Sequence, residues 1–184
     1  MAERKLIGRH TLIEEVKVED AQHIIDLRNQ PEINRFLSSH EKISLDAQQN
    51  WIKANLQKKD NVYFRITDTH TGEFCGTIAV YNIRNAEGEF GRYICTKTVQ
   101  AIESELLLLR YCFNVLQLQR VYCRTIAANN KVWMQHYKFG FRDCGEETTA
   151  DGHDLLKIQE LKLEDFRTFD YSPLERVINR FNPR

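Results

Sequence analysis

The stretch Tyr93–Ser104, YICTKTVQAIES, decides the fold. Its first residues close an apolar run that reads as a strand, and its last residues open a helix that runs through Val115. A strand leading straight into a helix leaves backbone N–H groups unpaired at the helix start, where the dipole favours an anion. Such loops are usually rich in glycine, which lets backbone approach a phosphate closely. Residues 93–104 contain none.

Working upstream, residues 62–68, 73–83 and the run EFGRYIC ending at Cys95 read as three antiparallel strands, with turns at Thr71-Gly72 and Glu87-Gly88. Before them, residues 8–17 read as a strand and residues 19–29 as a helix with Ala21, Ile24, Ile25 and Arg28 on one side. Pro31 breaks the chain. Ser44 caps a second helix whose apolar face is Ala47, Trp51, Ile52 and Leu56.

Downstream, residues 120–127 read as a strand, and a helix from about Asn130 to Phe139 stops at Gly140. FRDCGEETTA and DLLKIQELKL pair around Asp151-Gly152, and Ser172-Pro173 opens a last helix with Leu174, Ile178 and Phe181 in one stripe. That stripe is expected to pack on its own domain; a dimer contact is the sharper alternative. The order is strand, two helices, three strands, helix, strand, helix, two strands. It predicts a mixed α/β sheet whose middle strands are hairpins, not a doubly wound fold.

The 184 residues suit one domain over residues 1–184, with 169–184 as a C-terminal helical extension. Lys plus Arg number 26, as do Asp plus Glu, so no basic excess points to nucleic acid. The five cysteines are odd in number and scattered without a Cys-x-x-Cys pair, which argues against a zinc site or a disulfide framework. His10, His23, His40, His70 and His153 lack ligand spacing, so no metal is expected. The start has no signal-peptide core and the apolar runs are too short to span a bilayer. A cytoplasmic protein without a membrane partner is expected.

The clearest motif is residues 127–141, AANNKVWMQHYKFGF. An asparagine, a helix, an aromatic, a lysine and Gly-Phe at this spacing resemble the GNAT superfamily of acyl-CoA-dependent N-acetyltransferases, over about Gly8 to Leu163. Residues 28–33, RNQPEI, with Trp51 and Tyr63-Phe64, are similar to a subgroup. It includes ribosomal-protein N-terminal acetyltransferases and N-acetyltransferases of amino-sugar nucleotides. The resemblance implies an α/β (α+β) fold with a mixed, mostly antiparallel central sheet and helices on both faces. It implies acetyl-CoA as co-substrate and acetyl transfer to a primary amine, on an amino-sugar nucleotide or a protein N-terminus. The neutral charge favours the small molecule over a ribosomal surface. A monomer or homodimer is expected.

Residue by residue, the resemblance implies the following. Backbone N–H groups of Tyr93, Ile94 and Cys95 contact the thioester carbonyl. The family's phosphate loop, Arg/Gln-x-x-Gly-x-Gly/Ala, falls here on Thr96, Val99 and Ala101; only Ala101 fits. Val99, Gln100, Ala101 and Ile102 then line the cradle, with Lys97 as a compensating cation. A positive φ at Val99 would cost about 1–2 kcal/mol or more. Asn129 bridges the pantetheine and the backbone, against a helix N-cap, and Lys131 is a candidate phosphate contact, against a solvated helix lysine. His136 stands where the family has a tyrosine that protonates the leaving thiolate, with Tyr137 beside it as the alternative donor. The base some relatives carry falls on Arg124, so Glu89 is the candidate instead, against a solvated strand end. Arg28, Asn29, Asn34 and Trp51 resemble the acceptor side; Trp51 as plain core is the bland alternative. A cysteine nucleophile is not expected, since no cysteine has a visible activating partner. The absent glycine also motivates a second function: a catalytically inactive CoA-sensing or protein-binding module.

Overall fold

The computed structural model describes residues 4–37 and 41–182; His40 and Pro183 lie outside them. Among the described residues eight strands form one sheet in the order β1-β2-β3-β4-β5-β6-β8-β7. They are β1 Lys5–Ile7, β2 Thr11–Glu15, β3 Val62–Asp68, β4 Phe74–Arg84, β5 Glu87–Cys95, β6 Arg120–Ile126, β7 Arg142–Thr148 and β8 Leu155–Lys162. Every neighbouring pair is antiparallel except β5 with β6. Among the described residues the α-helices are α1 Ala21–Arg28, α2 Pro31–Asn34, α3 Leu45–Leu56, α4 Thr98–Asn114, α5 Asn130–Tyr137, α6 Leu163–Thr168 and α7 Ser172–Arg180.

Strand alternation divides the core between the two faces. Val62, Phe64 and Ile66 of β3, with Ile78 and Val80 of β4, face Leu106, Leu109 and Phe113 of α4. Tyr63 and Ala79 point the other way, against Ala21 and Ile24 of α1 and Ile52 of α3. Helices therefore cover both faces, as expected. Leu174 and Ile178 of α7 are buried in the α4-side cluster, so that stripe packs on its own chain, while Phe181 stays 38 % exposed.

Four local expectations change. The edge strand β1 precedes the predicted first strand, and α6 extends the C-terminal region. The hairpin turns at Asn85-Ala86, both with positive φ, and Glu87-Gly88 already belong to β5. Ser44 does cap α3, its Oγ accepting from the Ala47 N–H at 3.3 Å. The buried side of α3 is Gln48, Ile52 and Asn55, leaving Trp51 and Leu56 about two-fifths exposed.

Two features of β5 shape the site. It pairs with β6 only at Glu87↔Arg120, Gly88↔Val121 and Glu89↔Tyr122, after which the two parallel strands separate. Against β4 it carries a bulge: Thr77 faces Ile94 and Ala79 faces Gly91, so two residues oppose one. Arg92 sits in that bulge at φ 48°, a left-handed conformation that costs a non-glycine residue about 1–2 kcal/mol. Bulges re-aim side chains beside functional sites.

Candidate active site

A cavity of about 680 Å³ opens where β5 and β6 part. It is lined from both faces of the sheet. Cys123 and His136 lie on the α5 side, and Tyr81, Glu89 and Arg124 on the other. The split leaves facing strand edges without each other as partners, the arrangement an extended ligand can fill by backbone pairing.

Glu89 is 3 % exposed, not a solvated strand end. One oxygen accepts from the Tyr81 hydroxyl (3.0 Å) and Arg124 Nε (2.9 Å); the other accepts from Asn82 Nδ2 (2.9 Å) and Arg124 Nη2 (2.8 Å). Its four acceptor positions are thus filled, which removes it as a base in direct contact with an amine. The Glu89 carboxylate beside Arg124 raises the guanidinium pKa. Burial and then Glu89 push the Tyr81 phenol up, so Tyr81 stays a donor to the carboxylate. Gly91 makes room for this: a Cβ there would stand 2.8 Å from the Tyr81 hydroxyl.

His136 is 1 % exposed, and it lines the cavity. Its Nδ1 lies 2.7 Å from Oε1 of the fully buried Glu105. Burial alone would lower the imidazole pKa, but the Glu105 carboxylate, and then Cys123, raise it to about 10. The ring therefore holds its second proton at neutral pH. Tyr137 points elsewhere: its hydroxyl donates to Asp143 at 2.7 Å and it does not line the cavity.

Another wall of the cavity gathers residues the sequence only partly indicated. Trp51, 40 % exposed, lines the cavity rather than the core. The bulge directs Arg92 over Tyr81 (4.2 Å to the ring centroid) and Trp51 (5.0 Å), with Nη1 donating to Asn55 at 3.1 Å. Arg28 also lines the cavity, and its buried Nε finds no hydrogen-bond partner among the described residues. Burial lowers its pKa from the ordinary guanidinium value. Asn29 and Asn34 do not line the cavity.

At the start of α4 the glycine question resolves. Val99 is the second helical residue, is 8 % exposed and does not take positive φ. The first helical bond is Ala101 N–H to Lys97 O at 2.9 Å. Helix geometry leaves the N–H groups of Thr98, Val99 and Gln100 without an intrahelical acceptor. Lys97 is not a free cation: Asp68 at 2.9 Å and Glu73 at 2.7 Å hold its ammonium, and both raise its pKa. Gln100, 1 % exposed, turns its amide to Asp68 at 3.1 Å. The Ala101 carbonyl accepts from the Tyr93 hydroxyl, and Ile102 packs on the core. Tyr93, Ile94 and Asn129 line the cavity; Cys95 does not, and burial pushes its thiol up to about 12. Asn129 stands at the N-cap of α5 without a side-chain capping bond, and Lys131 is exposed and outside the cavity. Among the described residues no group of three or more His, Cys, Asp or Glu is placed to hold a metal, and no helix is long and apolar enough to cross a membrane.

A family model described as an acetyltransferase (GNAT) domain matches residues 10–142. No curated protein matches the sequence. Among solved structures, FdhC without ligand, described as a nucleotide-linked sugar GNAT, is 22 % identical, with a TM-score of 0.79 over 96 % of this chain and 98 % of that one. A GCN5-related N-acetyltransferase from Brucella melitensis is 17 % identical, with a TM-score of 0.77 over 96 % and 84 %. Spermidine N-acetyltransferase from Vibrio cholerae, solved with CoA and spermine, is 16 % identical, with a TM-score of 0.77 over 88 % and 100 %.

Proposed function

Because this chain belongs to the GNAT acetyltransferase domain family, we propose that it moves acetyl from acetyl-CoA to the primary amine of an anionic small molecule, with an amino-sugar nucleotide as the leading class. One observation carries the choice of acceptor. Of the three arginines lining the cavity, Arg124 is neutralised by Glu89, while Arg28 and Arg92 have no carboxylate partner among the described residues. Two uncompensated guanidiniums suit phosphate or carboxylate, which they bind in a forked geometry. Trp51 beside them offers a face to a flat ring. The same charges oppose a polyamine.

In this reading the pantetheine arm lies along the split edges of β5 and β6, beside Tyr93, Ile94 and Asn129. The pyrophosphate meets the free N–H groups of Thr98, Val99 and Gln100. His136 supplies a proton to the departing thiolate. The amine passes its proton through the Tyr81 oxygen toward Glu89, since the carboxylate itself is fully engaged. Lys97 plays no part in phosphate binding. A second reading, a catalytically inactive protein-binding module, is favoured by the Asp68 and Glu73 carboxylates near the helix start, which oppose a pyrophosphate.

Calorimetric titration with acetyl-CoA, followed by a thiol-release assay with amine acceptors, tests the proposal. Micromolar binding and turnover with a nucleotide-linked amino sugar, exceeding that with spermidine, is the expected result. No binding, or binding without turnover on any amine, selects the inactive module. Faster turnover with spermidine, or a peptide N-terminus as the best acceptor, refutes the acceptor assignment.

A further inference from the structure

We propose that Asn55 sets the charge preference of the cavity: it orients Arg92 without neutralising it, so that Arg92 anchors the anionic group of the acceptor. This rests on the acceptor reading given above. Asn55 lies in the last turn of α3, is 4 % exposed and does not itself line the cavity, so it acts through Arg92, which does.

The neighbouring Asn61 fixes which way the Asn55 amide points. Asn61, just before β3, donates from Nδ2 to the Asn55 backbone carbonyl at 3.1 Å, and a carbonyl can only accept. Asn61 Oδ1 is therefore the atom turned toward the Asn55 side chain, where it accepts from Nδ2 at 3.1 Å. That leaves Asn55 Oδ1 for Arg92, whose Nη1 donates to it at 3.1 Å.

The other groups that hold Arg92 also leave its charge intact. Its guanidinium carbon lies 4.2 Å from the ring centroid of Tyr81, 5.0 Å from that of Trp51 and 5.8 Å from that of Tyr63. Aromatic faces attract a cation without taking up its N–H donors. The Thr77 hydroxyl donates to the Arg92 carbonyl at 2.9 Å and pins the bulge that keeps this residue at φ 48°. Strained backbone of this kind persists where surrounding contacts over-determine it, and it gathers at ligand clamps. Arg124 is the contrast, since Glu89 and Glu147 both pair with it. An amide orients a guanidinium as a carboxylate does, but leaves the full charge and the remaining N–H groups to a phosphate or carboxylate of the ligand. Tyr81 joins this anchor to the proton route: its ring lies under Arg92 and its hydroxyl donates to Glu89. One tyrosine thus stands between the group that holds the anion and the group that receives the amine proton.

Steady-state kinetics with a nucleotide-linked amino sugar, and with the same amino sugar lacking its phosphates, test the assignment. The unsubstituted protein should prefer the charged acceptor, with a KM that rises with salt. Asn55→Asp gives Arg92 a carboxylate of the same shape as the amide. It should raise KM for the charged acceptor about tenfold or more and flatten the salt dependence, while KM for the uncharged acceptor, kcat and acetyl-CoA affinity stay unchanged. Asn55→Ala loosens Arg92 but keeps its charge, so KM for the charged acceptor should rise less and the salt dependence should persist. A purely structural role would raise KM for both acceptors alike in both variants. That result, or an Asn55→Asp protein that keeps the native preference, overturns the role of Asn55 and leaves the acceptor reading standing. Should Asn55→Asp fail to fold, Asn55→Ala and Arg92→Met decide. Loss of the charge preference in Arg92→Met, with the selective KM rise in Asn55→Ala, supports the proposal, and absence of either overturns it. An unsubstituted protein that turns over both acceptors equally refutes the acceptor reading, and this inference with it.

Discussion

Replacing Val99 with glycine separates two accounts of the loop before α4. If the missing glycine weakens the phosphate cradle, Val99→Gly should repair it. The structure says otherwise. Val99 is already helical and buried, so glycine gains nothing from its conformational freedom. It loses a buried valine side chain, worth about 1.5–3 kcal/mol. Glycine inside a helix costs about 0.5–1 kcal/mol more. The sum is about 2–4 kcal/mol, which for a chain of this length lowers Tm by roughly 5–15 °C. The backbone N–H groups stay in place, so acetyl-CoA affinity should change by less than about threefold. Thermal unfolding, with calorimetric titration well below both melting temperatures, measures both quantities. A variant that binds acetyl-CoA tenfold more tightly, about 1.4 kcal/mol, with no loss of Tm would refute this reasoning and identify the valine side chain as an obstruction.

Arg28→Met should raise KM for an anionic acceptor by about tenfold or more and blunt its salt dependence, while acetyl-CoA affinity measured by titration stays unchanged. Gly91→Ala should push the Tyr81 hydroxyl off Glu89, lowering kcat more than it raises KM in steady-state kinetics. Arg124→Met should strand the buried Glu89 carboxylate and lower stability by about 3 kcal/mol in urea unfolding. For His136 the folded pKa is raised, so the Glu105 pair stabilises fully below the usual value of 6.5 and is lost as pH rises through about 10. Melting temperature should therefore fall over that alkaline range, and Glu105→Gln should flatten the fall.

The sequence carried the strand and helix order because β3 is rich in β-branched and aromatic residues and turns bear glycine, as at Gly152. It hid the three-residue β1, which is too short for any period to register. The Glu87-Gly88 turn signal misled because Gly88 serves packing: a Cβ there would meet Val80 at 2.7 Å and Leu118 at 3.0 Å. On α3, the hydrophobic pattern singled out Trp51, yet the buried positions include Gln48 and Asn55, the latter bonded to Asn61 and Arg92. Motif spacing singled out two residues that line the cavity, His136 and Asn129. The states of site residues did not follow from it. Glu89 is buried because Arg124 meets it from another strand, and Lys97 is occupied because the β3–β4 hairpin brings Asp68 and Glu73 to it. Arg92, Tyr81 and Glu105 were missed because only the bulge and the packing of α4 on the sheet place them. The one available signal was the pair Glu103 and Glu105 set directly before the leucine run Leu106 to Leu109.

The three-residue pairing of β5 with β6 has a mechanical consequence. The sheet is two panels, β1–β5 and β6–β8 with β7, joined along a seam that is zipped only at one end. Helix α4 carries the chain from one panel to the other, and the clasp between Glu105 and His136 spans the seam from below. A molecule lying in the seam with bonds to both edges would act as the missing rungs of the ladder. It would then slow amide hydrogen exchange in β6 beyond Tyr122 more than in the fully paired β3. At a hundred times its dissociation constant it would add about 2.7 kcal/mol to the stability of the whole chain.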